Sequence, residues 1–265
     1  MIDSGFYWLL LALLGAATGS LLNVVTWRLP LMIGADAPPG FNLWLPASHC
    51  PGCKTTVRWR DNIPLLSWLL LRGRCRHCQR RISRRYPLTE FATLLLTLAL
   101  GWLFPPGTLL LAVLLFSWLL LALVLIDAEH QLLPDALTMP LLWIGLSANL
   151  LGWLRGPGLA AAVIGAIAGY LTLALLAQGY RLLSGKDALG LGDAKLLAAL
   201  GAWLGWQQLP VLLLLASISG ITWVLLTHLL FRRSLNAPLP FGPFLSAAGL
   251  ILLICANGYR FFWIY

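Results

Sequence analysis

Two kinds of side chain in this sequence have the spacing to do chemistry: aspartates at the ends of apolar runs, and cysteines in close pairs. Asp193 stands in Gly190-Leu191-Gly192-Asp193-Ala194-Lys195, a charged segment between two long apolar stretches. Carrying a charged carboxylate to the centre of a membrane helix costs about 2.5 to 3.5 kcal/mol on insertion scales, so an aspartate at such a boundary is a functional candidate. The apolar run after it, Leu196 to Trp206, is too short to cross a hydrocarbon core of about 30 Å at about 1.5 Å per residue. Its helix must therefore begin near Asp193, which puts the carboxyl at or slightly below the membrane surface. Gly190 and Gly192 would let another backbone approach closely. The purely structural role for Asp193 is a helix N-cap, and that role is compatible with catalysis.

One acid of this kind needs a partner, and Ile126-Asp127-Ala128-Glu129-His130-Gln131-Leu132-Leu133-Pro134-Asp135 supplies candidates. Asp127 comes directly out of an apolar run. Asp135 looks like the N-cap of the next helix, with Thr138 three residues on. Glu129 is the reserve candidate, and His130 reads as solvated. Two carboxyls from different helices in a partly dry site suit peptide hydrolysis. One, ionised, accepts a proton from water, while the other, protonated, faces the carbonyl, and the pair titrates as a unit. Lys195 could favour the ionised form of Asp193 or snorkel to the head groups.

The cysteines carry a second chemistry. Cys50-Pro51-Gly52-Cys53 and Cys75-Arg76-His77-Cys78 are two C-x-x-C pairs separated by residues 54–74. They read as a four-thiolate zinc site, which is closed and structural because no position is left for water or substrate. Its role would be to hold a small polar loop that cannot bury enough apolar surface to fold alone. Two disulfides are the alternative, but a cytoplasmic loop sits in a reducing compartment. His49 and His77 read as surface histidines, and Cys255 as a small core residue.

The elements that must position these groups are membrane helices. The chain has 265 residues, 60% hydrophobic and 10% charged, with mean hydropathy +0.84, which marks an all-α polytopic membrane protein. Apolar spans fall at about Phe6 to Trp27, Leu88 to Phe104, Thr108 to Ile126, Ala136 to Leu154, Leu159 to Leu183, Ala194 to Trp206, Leu209 to Phe231 and Gly242 to Trp263. That predicts about eight transmembrane helices in three parts: a first helix at 1–27, a cytoplasmic zinc-binding insert at 28–87 and a seven-helix core at 88–265.

Of the 18 Lys and Arg residues, 11 lie between Arg28 and Arg85. Arg181, Lys186, Lys195, Arg232 and Arg233 fall in alternate loops, against Arg155 and Arg260 opposite. By the positive-inside rule the insert and both aspartates face the cytoplasm, and both termini lie outside. The formal net charge of +9 then needs no nucleic acid, though membrane lipid is an expected partner. The first span lacks a basic flank and carries Asp3, so it reads as a retained helix rather than a cleaved signal.

Smaller features complete the organisation. Ser20, Asn23 and Thr26 recur every three residues on the first helix, which is expected to end by Pro30, and suit a helix-to-helix contact. Pro38-Pro39-Gly40 reads as a turn. Trp59, Trp68 and Leu69-Leu70-Leu71 suit the membrane interface. Pro238-Leu239-Pro240-Phe241-Gly242-Pro243-Phe244 is either an ordinary helix start or a stiff wall of the aspartate site.

Taken in order, these segments resemble one family, the type IV prepilin peptidases. The likeness runs through Gly19 to Pro30, the cysteine pairs enclosing Asp61 to Ser67, Arg72 through Pro87, Asp127 to Asp135, Gly190 to Lys195 and Pro240 to Phe244. The Gly-x-Gly-Asp core is also similar to that of intramembrane aspartyl proteases. The resemblance implies that Asp127 and Asp193 are the catalytic pair of a leader peptidase of the bacterial inner membrane. It also implies prepilin or pseudopilin substrates with a short basic leader, cut after a glycine on the cytoplasmic side. The family then methylates the new N-terminal amine with S-adenosylmethionine, an activity that the cysteine-bearing insert implies here. No glycine-rich strand-to-helix fingerprint for a nucleotide-like cofactor occurs, so the donor's pocket is unassigned.

A proton-coupled transporter is the competing reading of the same acids. It predicts acids spread through the membrane depth and an inverted repeat. The sequence instead places Asp127, Glu129, Asp135, Asp187 and Asp193 on one face and shows no repeat.

Overall fold

A computed structural model describes residues 4–34, 40–185, 190–232, 234 and 239–258. Pro38, Pro39, Lys186, Asp187, Arg233, Pro238, Arg260 and the expected last span beyond residue 258 lie outside them. Every regular element among the described residues is helical, apart from two isolated bridges between extended residues. The chain divides into two compact units, Met1–Trp102 and Leu103–Tyr265.

In the first unit α1 (Ser4–Ile33) pairs with α3 (Arg85–Leu103), and the polar insert between them contains the short α2 (Leu66–Leu70). The two long helices meet through small residues. A Cβ on Gly15 would stand 2.9 Å from the Thr97 side chain, and one on Gly19 would stand 2.6 Å from the Glu90 Cα, so only glycine permits this approach. The polar face of α1 serves that contact. Asn23 donates through Nδ2 to the Tyr86 carbonyl at 3.0 Å, and the Thr26 hydroxyl accepts from Arg85 at 3.2 Å.

The first helix does not stop by Pro30 as the sequence suggested. It continues to Ile33 with Pro30 inside it, since a proline removes one backbone donor without forbidding helical dihedrals. Arg28, buried near that end, donates to the carbonyls of Asn42 (3.0 Å), Leu43 (3.3 Å) and Pro46 (2.6 Å), tying the start of the insert to the helix.

The second unit is α4 (Thr108–His130), α5 (Asp135–Leu150), α6 (Gly158–Ser184), α7 (Leu191–Leu204), α8 (Leu209–Phe231) and α9 (Gly242–Asn257). Helix α7 is its centre: every residue from Leu196 to Leu204 is buried, and α5, α6 and α9 pack around it. At about 1.5 Å per residue its 14 residues span only about 21 Å. Because neighbouring helices sheathe it, a helix of that length need not present its ends to lipid.

The packing is close and specific. A Cβ on Gly169 would stand 2.7 Å from the Leu197 carbonyl oxygen. Trp203 is 1% exposed, donates through Nε1 to the Leu141 carbonyl at 2.8 Å and lies 4.7 Å from the Phe116 ring. The outer helices are the reverse. On α6 and α8, Leu176 and Leu230 are 63% and 70% exposed, as lipid-facing side chains should be. Among the described residues, five helices are long and apolar enough to cross a membrane: α1, α3, α4, α6 and α8.

Candidate active site and metal centre

Helix α4 delivers Asp127 three residues before its end, 4% exposed. Gln131 closes the helix in a left-handed conformation, φ 53°, its amide donating to the Asp127 carbonyl at 2.9 Å. The turn carries the chain through Leu133 and Pro134 into α5.

Helix α9 begins against the same carboxyl. The Gly242 amide, the first of that helix, donates to Asp127 Oδ2 at 3.0 Å in a buried bond. Unpaired amides at a helix start favour an anion, so this is a suitable seat for a carboxylate. A Cβ on Gly242 would stand 2.6 Å from that oxygen. Glycine is required here by contact, and Pro243 follows at a position where helices accept proline.

Asp193 is the third residue of α7 and half-buried. It is not the N-cap that the sequence suggested. Gly190 occupies that position, and its carbonyl takes the Asp193 amide at 3.1 Å, which leaves the carboxyl free of capping duty. Leu133 separates the two glycine-bearing helix starts. A Cβ on Gly192 would lie 3.0 Å from Leu133 Cβ, and one on Gly242 would lie 3.2 Å from Leu133 Cδ2. Gly192 therefore admits a side chain rather than the backbone expected of it. The Asp127 and Asp193 carboxyls are near enough to interact electrostatically.

The remaining charged candidates sort outward. Glu129 is exposed, with its carboxylate 3.8 Å from His130. Asp135 is the first residue of α5 rather than its N-cap, a position that Pro134 takes. Its carboxylate binds the Lys195 ammonium at 2.7 and 2.8 Å. Lys195 thus serves Asp135 rather than Asp193, because a lysine two residues past Asp193 projects to a different side of the helix. The amide of Gly242 is the part of the site that composition alone concealed; the Pro-Phe-Gly-Pro run around it was the available signal.

The second constellation lies in the first unit. Cys50, Cys53, Cys75 and Cys78 bring their sulfurs within 4.8 Å of one another, all as free thiols. Cys50 to Cys78 is 3.7 Å and Cys53 to Cys75 is 3.9 Å. A zinc with bonds of about 2.3 Å to four sulfurs would set them about 3.8 Å apart, so the arrangement suits a structural zinc.

Two matching turns build it. Cys50 and Cys75 each accept, through the carbonyl, the amide of the residue just after the second cysteine, Lys54 and Gln79, and those residues have φ of 59° and 58°. The Thr55 hydroxyl and amide hold the Cys53 thiol down at about 6, and the amides of Cys53 and Gly52 lower that of Cys50, both favouring the metal-binding thiolate. For Cys78 the Arg80 amide pulls down, but burial and the other three sulfurs outweigh it and push the thiol up to about 11. His49 and His77 are exposed, as expected of bystanders.

Long apolar helices, with acids at the end of α4 and the start of α7, together with a four-thiol cluster in the other unit, define a polytopic membrane protein. Comparison with known proteins makes this particular. Residues 13–104 match the bacterial peptidase A24 N-terminal domain and residues 114–225 match the type IV leader peptidase family. The chain is 49% identical to a prepilin leader peptidase/N-methyltransferase of Aeromonas hydrophila, covering 94% of this chain and 90% of that one. It is 49% identical to the Dickeya chrysanthemi protein of the same name, over 93% and 92%. Against the Pseudomonas aeruginosa protein it is 45% identical over 91% and 88%. No solved structure matches the chain. The chain belongs to the type IV leader peptidase family.

Proposed function

We propose that this protein removes the leader from prepilins or pseudopilins with Asp127 and Asp193 as its catalytic pair, and methylates the new N-terminal amine. The observation that carries the reading is that Leu133 stands between Gly192, beside Asp193 at the start of α7, and Gly242, whose amide holds Asp127 at the start of α9. One carboxylate takes a proton from a water molecule whose oxygen attacks the scissile carbonyl, and the other carboxyl protonates that carbonyl oxygen. The proton then passes to the leaving nitrogen as the C–N bond breaks. The Gly242 amide orients Asp127 throughout. In the second reaction S-adenosylmethionine supplies the methyl group.

The membrane reading follows the charge. In the second unit Arg181, Lys195 and Arg232 stand with the aspartate end, against Arg155 at the other, so that end faces the cytoplasm of the inner membrane. The shorter α5, α7 and α9 join the five longer helices to give eight crossings, with both termini periplasmic. The exposed leucines of α6 and α8 make lipid the constant partner. A substrate with a single apolar helix would present its cut site at this depth. A basic leader would be repelled by the basic insert, so recognition falls to the glycine, the helix and lipid.

Purified Asp127→Asn and Asp193→Asn proteins, given a pilin-like precursor in detergent or vesicles, test the assignment. Neither should cut, and normal cutting by either rejects it. The transporter alternative has no support from the family match.

A further inference from the structure

One buried acid lies outside the aspartate pair. Glu90, on the first turns of α3, is 9% exposed. Its Oε2 accepts the Leu65 amide at 2.8 Å. The backbones crowd there, since a Cβ on Gly19 would reach within 2.6 Å of the Glu90 Cα. Leu65 itself is held at φ 61°, ψ −51°, a region that non-glycine residues rarely adopt.

What Glu90 lacks is a cation. Buried carboxylates are ordinarily paired, and this one lies in a unit with 11 Lys and Arg between Arg28 and Arg85. Among the described residues none forms an ion pair with it. Arg85, five positions earlier, donates to the Thr26 hydroxyl, Arg28 donates to three carbonyls of the insert, and Arg76 pairs with Asp61. The carboxyl is hydrogen-bonded into position and has no ion-pair partner among the described residues.

Of the two reactions, methylation is the one that brings a new cation: the N-terminal ammonium freed by cleavage. That group begins an apolar helix, so it lies close under the membrane surface, and Glu90 is the sixth residue of a membrane-length helix whose first turn holds Arg85. We propose that Glu90 is the anionic subsite that receives the mature substrate's N-terminal ammonium for methyl transfer. The proposal rests on the methyltransferase part of the function given above, and is independent of the aspartate pair.

The step balances as follows. The Glu90 carboxylate accepts one proton from the ammonium. The freed amine nitrogen attacks the methyl carbon of S-adenosylmethionine, forming the N–C bond. The C–S bond breaks and its electron pair returns to sulfur, converting the sulfonium cation to a neutral thioether. A carboxylate at the amine also offsets the repulsion between ammonium and sulfonium as they approach.

Glu90→Gln separates this role from a merely structural one. Glutamine can keep the hydrogen bond from the Leu65 amide and loses only the charge. The full-length protein in detergent is given a synthetic peptide with the mature free N-terminus and S-adenosylmethionine. Methylation should fall about a hundredfold, while cleavage of the intact precursor stays within about twofold. Peptide binding supplies a readout that needs no turnover. Wild type should prefer the free amine over the Nα-acetyl peptide by about tenfold, and the variant should lose that preference.

Methylation unchanged in Glu90→Gln, or an undiminished preference for the free amine, overturns the proposal. So does parallel loss of cleavage and thermal stability, which would make Glu90 a strut. A wild-type protein that methylates nothing instead refutes the methyltransferase reading itself.

Discussion

The four-thiol centre and the proposed aspartate pair face the same problem, holding reactive side chains together, and meet it by opposite means. The thiols sit on two copies of one tight turn, each completed within six residues by its own backbone bonds, and a metal would close the rest. The carboxyls come from α4 and α7, and what fixes them is helix packing: glycine against Asp127, glycine against Leu133, Trp203 under α5. The first arrangement is local and depends on a ligand. The second depends on many apolar contacts that bring helix ends together, with the Gly242 amide on Asp127 as its polar fixing point. A polar insert lacks apolar surface to bury, so it needs metal, whereas a membrane bundle obtains its precision from close packing of small residues.

The largest effect should come at the carboxyls. Asp127→Asn or Asp193→Asn should lower kcat for precursor cleavage by about a thousandfold or more, with helix content unchanged by circular dichroism. Next is Gly242→Ala, which places a methyl group where the Asp127 oxygen stands. Cleavage should fall about tenfold to a hundredfold, with KM moving less than kcat. If alanine at 242 cuts normally, the amide-to-carboxylate contact is not what orients Asp127.

Metal removal sharpens the comparison from the other side. A strong chelator, or Cys53→Ser, should unfold the insert, measured by protease nicking within residues 40–85, and should abolish methylation while cleavage persists. Equal loss of both activities would show that the two sites are not energetically separate.

Smaller again is the Lys195–Asp135 pair, which is substantially exposed. Lys195→Met should cost at most about 1 kcal/mol in thermal unfolding and leave cleavage within about twofold.

The smallest effect is at Asp61, where hydrogen bonding from Arg76 holds the carboxyl below its ordinary range. A carboxyl depressed in the folded state stabilises above its unfolded value and loses that contribution as the pH falls through the folded one. The difference in stability between wild type and Asp61→Asn should therefore be constant from pH 7 to pH 5 and close below about pH 4.

Much of this was legible in residue order. The cysteine pairs announced their turns because ligand type and spacing are local properties, and the apolar runs announced an all-helical chain, of which five helices among the described residues are long enough to cross a membrane. The end of α1 was misplaced because Pro30 was read as a stop. Asp135 and Lys195 were assigned separate roles because an ion pair 60 positions apart leaves no periodic trace. For Glu90 nothing in its neighbourhood distinguished it from a surface glutamate on a helix start.

The sequence by itself determined that this is a helical membrane protein, which acids stand at helix boundaries and which four thiols belong together, since hydropathy and ligand spacing act over a few residues. Tertiary structure decided that the start of α9 delivers an amide to Asp127, that Leu133 fills the space between two glycines, and that Glu90 is buried with no ion-pair partner among the described residues. Those facts depend on which helix faces which, and that is set by the mutual fit of small and large side chains rather than by any one segment.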